Sequence, residues 1–315
     1  MPKPIRLSEI GAACAAILQE LANNADSFGL AISRSGSGAR ILIADRDTEE
    51  SAQAGALTAT LCQGGLAQSE AYSGEFGGKK LAFVRTRTEH PRLATLTMQS
   101  AREFDGVMLS GPFKLHLEHS DEVSYDEDPS CGSFCAIVQA NAVPGDRWIT
   151  ELAERACCTP NHLTLLVAPQ ERVLGAAQIA GRMNENMIFT MERSLSLPGA
   201  QVSAIEGYSP ICPAGAMTAR GALLQPDDYL HYGAFSRLRL RPDSGIDAKW
   251  LADNLVFSSL PIFGGLFIDL LDAAGGDFFK IPDLLHINKL AVVEVIDSSI
   301  GAIYCAGMLR PDCLA

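Results

Sequence analysis

The 315 residues, 47% of them hydrophobic, are enough for two domains whose cores need no disulfide or metal staples. A formal net charge of −12 removes the Coulombic and counterion-release gain that nucleic acid or an anionic membrane surface would offer, so neither is expected as a partner, although an anionic small ligand is compatible with a locally basic pocket. Nine cysteines, an odd number scattered from Cys14 to Cys313, fit reduced thiols in a cytoplasmic protein better than a disulfide framework.

At the N-terminus, Lys3 and Arg6 ahead of the apolar run Ile10 to Leu18 imitate a signal peptide, but Glu9, Gln19 and Glu20 interrupt it and the run is too short to span a bilayer. The pattern predicts an amphipathic helix over 8–23 with Ser8 as N-cap. Apolar runs Gly29–Ser33 and Ala39–Ala44, separated by Gly36-Ser37-Gly38, read as a β-hairpin. Residues 48–62 have helical spacing and stop at Gly64-Gly65, where glycine supplies positive φ. Leu81–Thr86 reads as a strand, Pro91–Ala101 as a helix with proline in its first turn, and Gly106–Leu109 as a short strand.

The polar, acidic stretch Glu118–Gly132 marks a domain boundary, giving an N-terminal α/β domain over 1–120 and a C-terminal α/β domain over 133–315. Beyond it the pattern predicts strand 134–139, helix 146–158, strand 163–168, a long helix over about 171–194, a strand near 201–205, a loop over 207–215 and strand 229–240. Helices near 247–255 and 263–273 and strands near 290–296 and 301–305 close the chain. The fold class is α/β, and the absence of repeats sets aside solenoids and propellers.

Chemistry is concentrated in the long helix, whose segment Val173–Gly181 is apolar or small on all sides except Gln178. Gln178, Arg182 and Glu185 fall at i, i+4 and i+7, placing an amide, a guanidinium and a carboxylate on one stripe. Two readings stay open: a weak surface Arg–Glu pair, or a carboxylate acting as general base towards water with the arginine setting its ionisation and orientation. The second suits hydration of an electrophilic carbon and needs no metal.

Other clusters carry less. His116, Glu118 and His119 lack a helical frame to converge them on zinc, and Cys131 with Cys135, or Cys157 with Cys158, lack a second pair at zinc-ribbon spacing. Ser35-Gly36-Ser37-Gly38 has neither the lysine nor the strand-to-helix context of a phosphate loop. No metal and no tightly bound nucleotide or other cofactor is expected.

The run Pro160-Asn161-His162-Leu163-Thr164, followed by Ala168-Pro169, Gly175, Gln178, Arg182 and Glu185, resembles the central signature of the methenyltetrahydromethanopterin cyclohydrolases. Colinear similarities extend upstream through Gly38-Ala39-Arg40-Ile41, Ala54-Gly55, Cys62 with Gly64-Gly65-Leu66, His90-Pro91, Gln99 with Ala101, and Ser110-Gly111-Pro112. Downstream they continue through Ser209-Pro210, Pro213, Asp228, Tyr232-Gly233, the run Gly276–Ile281 and Ala306-Gly307, so the resemblance spans roughly 30–310.

This resemblance implies a two-domain α+β/α/β cyclohydrolase-like fold with an interdomain pterin cleft, a homotrimer, and reversible hydrolysis of a methenyl-pterin cation in one-carbon metabolism of methanogens and methylotrophs. A tetrahydromethanopterin derivative is then the substrate or ligand. Carried onto this chain, Glu185 is the base for the attacking water and Arg182 its partner, while Gln178, Gln99, Ser110, Gly111, Lys114, Asp228, Tyr232 and Lys280 are candidates for holding the pterin.

The chain also departs from the family pattern. Lys114 follows Pro112-Phe113 where relatives have arginine after the proline, Pro226-Asp227-Asp228 replaces Thr-Asn-Asp, and Phe235 stands where an arginine follows the paired glycines. The serine-threonine-rich turn is reduced to Ser258-Ser259, and Lys-Ile-Asp becomes Lys280-Ile281-Pro282. Loss of guanidinium groups removes bidentate anion recognition, so the resemblance is compatible both with a working cyclohydrolase and with a paralogue that binds the pterin or acts elsewhere in its pathway or biosynthesis.

Overall fold

The computed structural model describes residues 3–45, 51–125, 131–169, 171–213, 225–276, 280–281 and 284–314. In chain order the first of these form β1 (Ile5–Arg6), α1 (Leu7–Asn23), α2 (Ala25–Phe28), β2 (Leu30–Arg34), β3 (Arg40–Ala44), α3 (Ala52–Cys62), β4 (Ala67–Phe76), β5 (Lys79–Thr88), a π-helical segment over Arg92–Gln99, β6 (Arg102–Phe104), β7 (Val107–Ser110) and β8 (Val123–Ser124). They continue with β9 (Cys135–Gln139), α4 (Asp146–Arg155), β10 (Thr164–Val167), α5 (Val173–Ala180), α6 (Met183–Phe189), a π-helical turn over Thr190–Ser194 and β11 (Val202–Pro210). The last are α7 (Gln225–Gly233), β12 (Phe235–Leu240), α8 (Ala248–Leu255), α9 (Phe267–Ala273), β13 (Val292–Asp297) and β14 (Ala302–Gly307).

The chain divides into two compact units, one of Met1–Gln68 with Leu93–Gln178, the other of Ser69–Arg92 with Ile179–Ala315. The boundary expected between 120 and 133 falls inside the first unit; of that stretch, 126–130 lie outside the described residues.

In the first unit a six-stranded sheet runs β2-β3-β10-β9-β7-β6, and β1 pairs with β8 apart from it. The central strands β3, β10 and β9 are parallel, with Leu165 beside Ile41 and Ala136. Their sequences RILIA, TLLV and CAIVQ are near-continuous apolar runs, as expected of strands covered on both faces. Alternation along β10 shows the two faces: Leu166 packs with Ile10, Leu57 and Leu61, whereas Leu165 and Val167 pack with Ile149 and Leu152 of α4.

In the second unit a six-stranded sheet runs β14-β13-β12-β11-β5-β4, antiparallel except where β12 lies parallel to β13. A second cluster gathers Tyr232, Phe257, Phe267, Ile281 and Ile287.

Three sequence expectations need correction. The long helix over 171–194 is interrupted: α5 ends at Ala180, the Arg182 N–H closes a short turn onto Ile179 O at 2.8 Å, and α6 starts at Met183. Gly181, which lacks a Cβ and is a poor helix former, sits at the break. The strand expected over 229–240 begins only at Phe235, because Gln225–Gly233 is helical, with Asp227 and Asp228 in its first turn. An apolar run this short does not distinguish strand from helix by periodicity. Ser8 is not the cap of α1, which starts at Leu7 with Arg6 at its N-cap, whereas α3 is capped by the Ser51 hydroxyl accepting from Gln53 N at 3.2 Å.

Candidate active site

Arg182 and Glu185 make the ion pair that their spacing suggested, in the second unit. Glu185 lies in the first turn of α6 and is only 2% exposed, while Arg182, in the turn before it, directs Nε and a terminal nitrogen to the same carboxylate oxygen at 3.0 and 2.8 Å. Two N–H groups on one oxygen leave the other oxygen of Glu185 outside this ion pair, which is not a symmetric bidentate clasp.

The sheet fixes where α6 begins. Asn184, fully buried, donates to Thr86 O of β5 at 3.2 Å and accepts from Ser236 Oγ of β12 at 2.8 Å. Beneath it, Gly207 of β11 lets the helix approach: a Cβ there would stand 2.5 Å from Phe235 O, 2.7 Å from Met183 Cγ and 2.9 Å from Asn184 Oδ1. Neither Asn184 nor Gly207 stood out in the sequence, since both signals appear only once the strands are paired.

Asp227, in the first turn of α7, is in electrostatic reach of both members of the pair. It is half-buried by surface area, yet so densely surrounded that desolvation pushes its carboxyl up to about 6, with Arg182 pulling it down and Glu185 pushing it up. The next residue, Asp228, is buried and accepts from Phe267 N at 2.9 Å. Burial raises its carboxyl to about 7, the Phe267 hydrogen bond opposing and Asp227 and Asp269 adding to the rise. One turn further, the Tyr232 hydroxyl donates to Gly265 O at 2.6 Å and accepts from Gly264 N at 3.1 Å. Asp228 and Tyr232 therefore hold the loop entering α9. Lys280 is exposed, and its neighbours 277–279 lie outside the described residues.

The other candidates belong to the first unit, and three of them, Gln99, Ser110 and Gln178, converge on a residue that the sequence had marked only as part of a motif, Cys62, the last residue of α3. Its sulfur lies 3.1 Å from Ser110 Oγ, donates to Gln99 O at 3.9 Å and accepts from Gln178 Nε2 at 3.8 Å. Gln139, also not foreseen, donates to Gln178 Oε1 at 3.1 Å. Gly111, at φ 102°, turns the chain beside β9, where a Cβ would meet Ile137 Cδ1 at 2.8 Å. Lys114 is buried and gives its ammonium to Ser100 O and Oγ at 2.8 and 2.9 Å.

Gln178 thus falls in one unit and Arg182 with Glu185 in the other, with the helical run broken between them at Gly181 and Arg182. His116, Glu118 and His119 go to separate partners: His116 Nε2 lies 2.8 Å from Ser133 Oγ, Glu118 pairs with Arg102, and His119 stacks on Tyr125. Among the described residues no group of three His, Cys, Asp or Glu side chains is placed to hold a metal ion, and no helix is long and apolar enough to cross a membrane.

Two six-stranded sheets, one in each unit, and a buried carboxylate–guanidinium pair at the start of a sheet-docked helix mark a mixed α/β protein. The sequence model of the family described as Cyclohydrolase (MCH) matches residues 9–315, and the chain belongs to that family. It is 26% identical over 309 residues to the methenyltetrahydromethanopterin cyclohydrolase of Methanothermobacter marburgensis, covering 95% of each chain. It is 28% identical to the enzyme of that name from Methanococcus vannielii, over 89% of this chain and 91% of the relative, and 27% identical to that of Methanocaldococcus jannaschii, over 95% and 94%.

Proposed function

We propose that this protein hydrolyses a methenyl-tetrahydromethanopterin cation to the formyl-pterin in one-carbon metabolism, with Glu185 as the base. The observation that carries this reading is the buried Arg182–Glu185 pair in a member of the cyclohydrolase family. The reaction needs a group that takes a proton from water as its oxygen attacks the bridging amidinium carbon, and an oriented carboxylate meets that need. Attack forms the C–O bond and neutralises the cation; one C–N bond then breaks as the departing nitrogen receives the second water proton, and the other proton leaves through Glu185. Arg182 orients the carboxylate through both of its N–H contacts. Gln178, Gln99, Ser110, Gly111, Lys114, Asp228, Tyr232 and Lys280 remain the proposed pterin-holding set, in a cytoplasmic homotrimer.

One observation favours a second reading, a paralogue that binds the pterin without turnover. Lys114, Asp228 and Tyr232 already spend polar atoms on Ser100, Phe267 and the Gly264–Gly265 backbone. The absorbance of methenyl-tetrahydromethanopterin on adding the purified protein separates the two: decay supports hydrolysis, while tight binding of the reduced, uncharged pterin without decay supports the binding protein. Light scattering in the same buffer tests the trimer.

A further inference from the structure

In the first unit the connections that follow β9 and β10 part to opposite faces of the sheet. The two strands are parallel neighbours, yet β9 leads into α4, whose Ile149 and Leu152 pack with Leu165 and Val167, whereas β10 leads into α5, whose Leu174 joins Ile10, Leu57 and Leu61 on the other face. Connections that diverge in this way open a crevice beyond the carboxyl ends of the strands, the usual ligand position in such sheets. Gln139, the last residue of β9, stands at that end and is partly exposed, whereas the rest of the strand is buried.

From Gln139 a chain of hydrogen bonds runs inwards. Gln139 Nε2 donates to Gln178 Oε1 at 3.1 Å, Gln178 Nε2 to Cys62 Sγ at 3.8 Å, and the Cys62 thiol to Gln99 O at 3.9 Å. The two ends of a side-chain amide are told apart only by their partners, and here the inner end of the chain decides. Gln99 O is a backbone carbonyl and can only accept, so the thiol proton points to it and the sulfur accepts from the Gln178 amide nitrogen. Ser110 Oγ, 3.1 Å from the same sulfur, takes either role without changing this order. Gln178 Oε1 then faces the Gln139 nitrogen, and Gln139 Oε1 is left as the outermost atom of the chain, with no donor to it among the described residues.

We propose that Gln139 is the ligand-reading residue of the first unit, its Oε1 accepting from the adjacent N–H donors of a pterin, the exocyclic amino group and the neighbouring ring N–H. The proposal rests on the reading of the ligand as a tetrahydromethanopterin derivative and refines it. Gln178, Gln99 and Ser110, each at most 1% exposed, act from behind by fixing which atom Gln139 shows, and Gln139 makes the contact. An acceptor held outward in this way selects a ligand edge that offers donors and rejects one that offers acceptors, because two facing acceptors leave both unpaired.

The test is calorimetric titration of the purified protein with tetrahydromethanopterin and with its analogue methylated on that ring nitrogen. Wild type should bind the parent roughly ten- to a hundredfold more tightly, because the methyl group replaces a donor and leaves Gln139 Oε1 underpaired. Gln139→Met keeps the length of the side chain and removes the acceptor. Its affinity for the parent should fall by a similar factor, and its preference for the parent over the analogue should disappear. A merely structural role would weaken both ligands alike and leave the preference intact. A wild type that binds the two equally, or a folded Gln139→Met that keeps the full preference, overturns the assignment and leaves the pterin reading standing. A wild type that binds neither overturns both. If Gln139→Met does not fold, Gln139→Ala removes the same acceptor and is read in its place, and wild-type discrimination is required in either case.

Discussion

Glu185 and its guanidinium partner make the sharpest residue-scale expectation. Glu185→Gln keeps volume and most hydrogen bonding while removing the proposed base, so on that reading turnover should fall by roughly two to four orders of magnitude with pterin affinity little changed, read as a loss in kcat without a rise in KM. Arg182→Lys should cost less, since an ammonium keeps charge but cannot present two N–H groups to one oxygen. Asp228 carries a stability prediction instead. Burial raises its folded carboxyl from 3.8 to about 7, so as pH climbs through that window the unfolded chain ionises first and the native state loses the stability this protonated group contributes, all of that contribution being gone above about 7. Asp228→Asn retains an oxygen for the Phe267 N–H and removes the titration. Its unfolding free energy should therefore match wild type near pH 4 and exceed it increasingly towards pH 8, by up to a few kcal/mol in order of magnitude; a difference that stays constant across that range in denaturant melts would refute it. The Arg182–Glu185 pair was legible in the sequence because an i, i+3 contact is local. Cys62 at the focus of Gln99, Ser110 and Gln178 was not, because its partners come from segments 37, 48 and 116 residues away.

Elements were legible in proportion to how much of their shape is decided locally. The β2–β3 hairpin, α4, β10 and α8 fall within a few residues of the expected spans, since turn residues and an apolar face suffice to place them. β4 was missed, because AQSEAYSGEF has polar residues at most positions and is a strand by virtue of pairing with β5 at a sheet edge. The start of α7 was misread because its residues are nearly all buried, Asp228 and His231 included, so its polar positions do not trace one solvent-facing helical face. The break between α5 and α6 follows a glycine visible in the sequence, but its consequence, a helix start pinned to β5, β11 and β12, depends on distant strands. Gly207→Ala tests that pinning. Backbone and helix atoms stand 2.5–2.9 Å from the added methyl, so overpacking should cost about 1–3 kcal/mol by denaturant melt. Because Asn184 must shift, kcat should drop in addition, as misplacement of a reacting group by about an ångström costs up to a hundredfold. Unchanged kcat with lowered stability would mean that Glu185 does not depend on this anchor.

For the whole molecule, the chain passes between its two units three times, after Gln68, Arg92 and Gln178. A cut at the acidic stretch therefore separates strands that need each other: residues 1–120 keep β3 and β7 but lose β10 and β9 between them, and residues 133–315 keep β11 without the β5 it pairs with. Neither fragment expressed alone should show a cooperative melt by circular dichroism, and a cooperative transition in either would show that its sheet is complete without the missing strands. The same crossings impose a schedule on the ribosome. The β4–β5 hairpin leaves the exit tunnel early, but β11, its sheet neighbour, is made about 110 residues later, which at about 5–20 residues per second is on the order of ten seconds. In that interval the first unit can close, since its last strand, β10, is made before β11, while the hairpin waits with one edge open. The charges along that hairpin, Glu70 and Glu75 on β4 and Lys79, Lys80, Arg85 and Arg87 on β5, disfavour pairing of its open edge with another nascent chain before β11 is made.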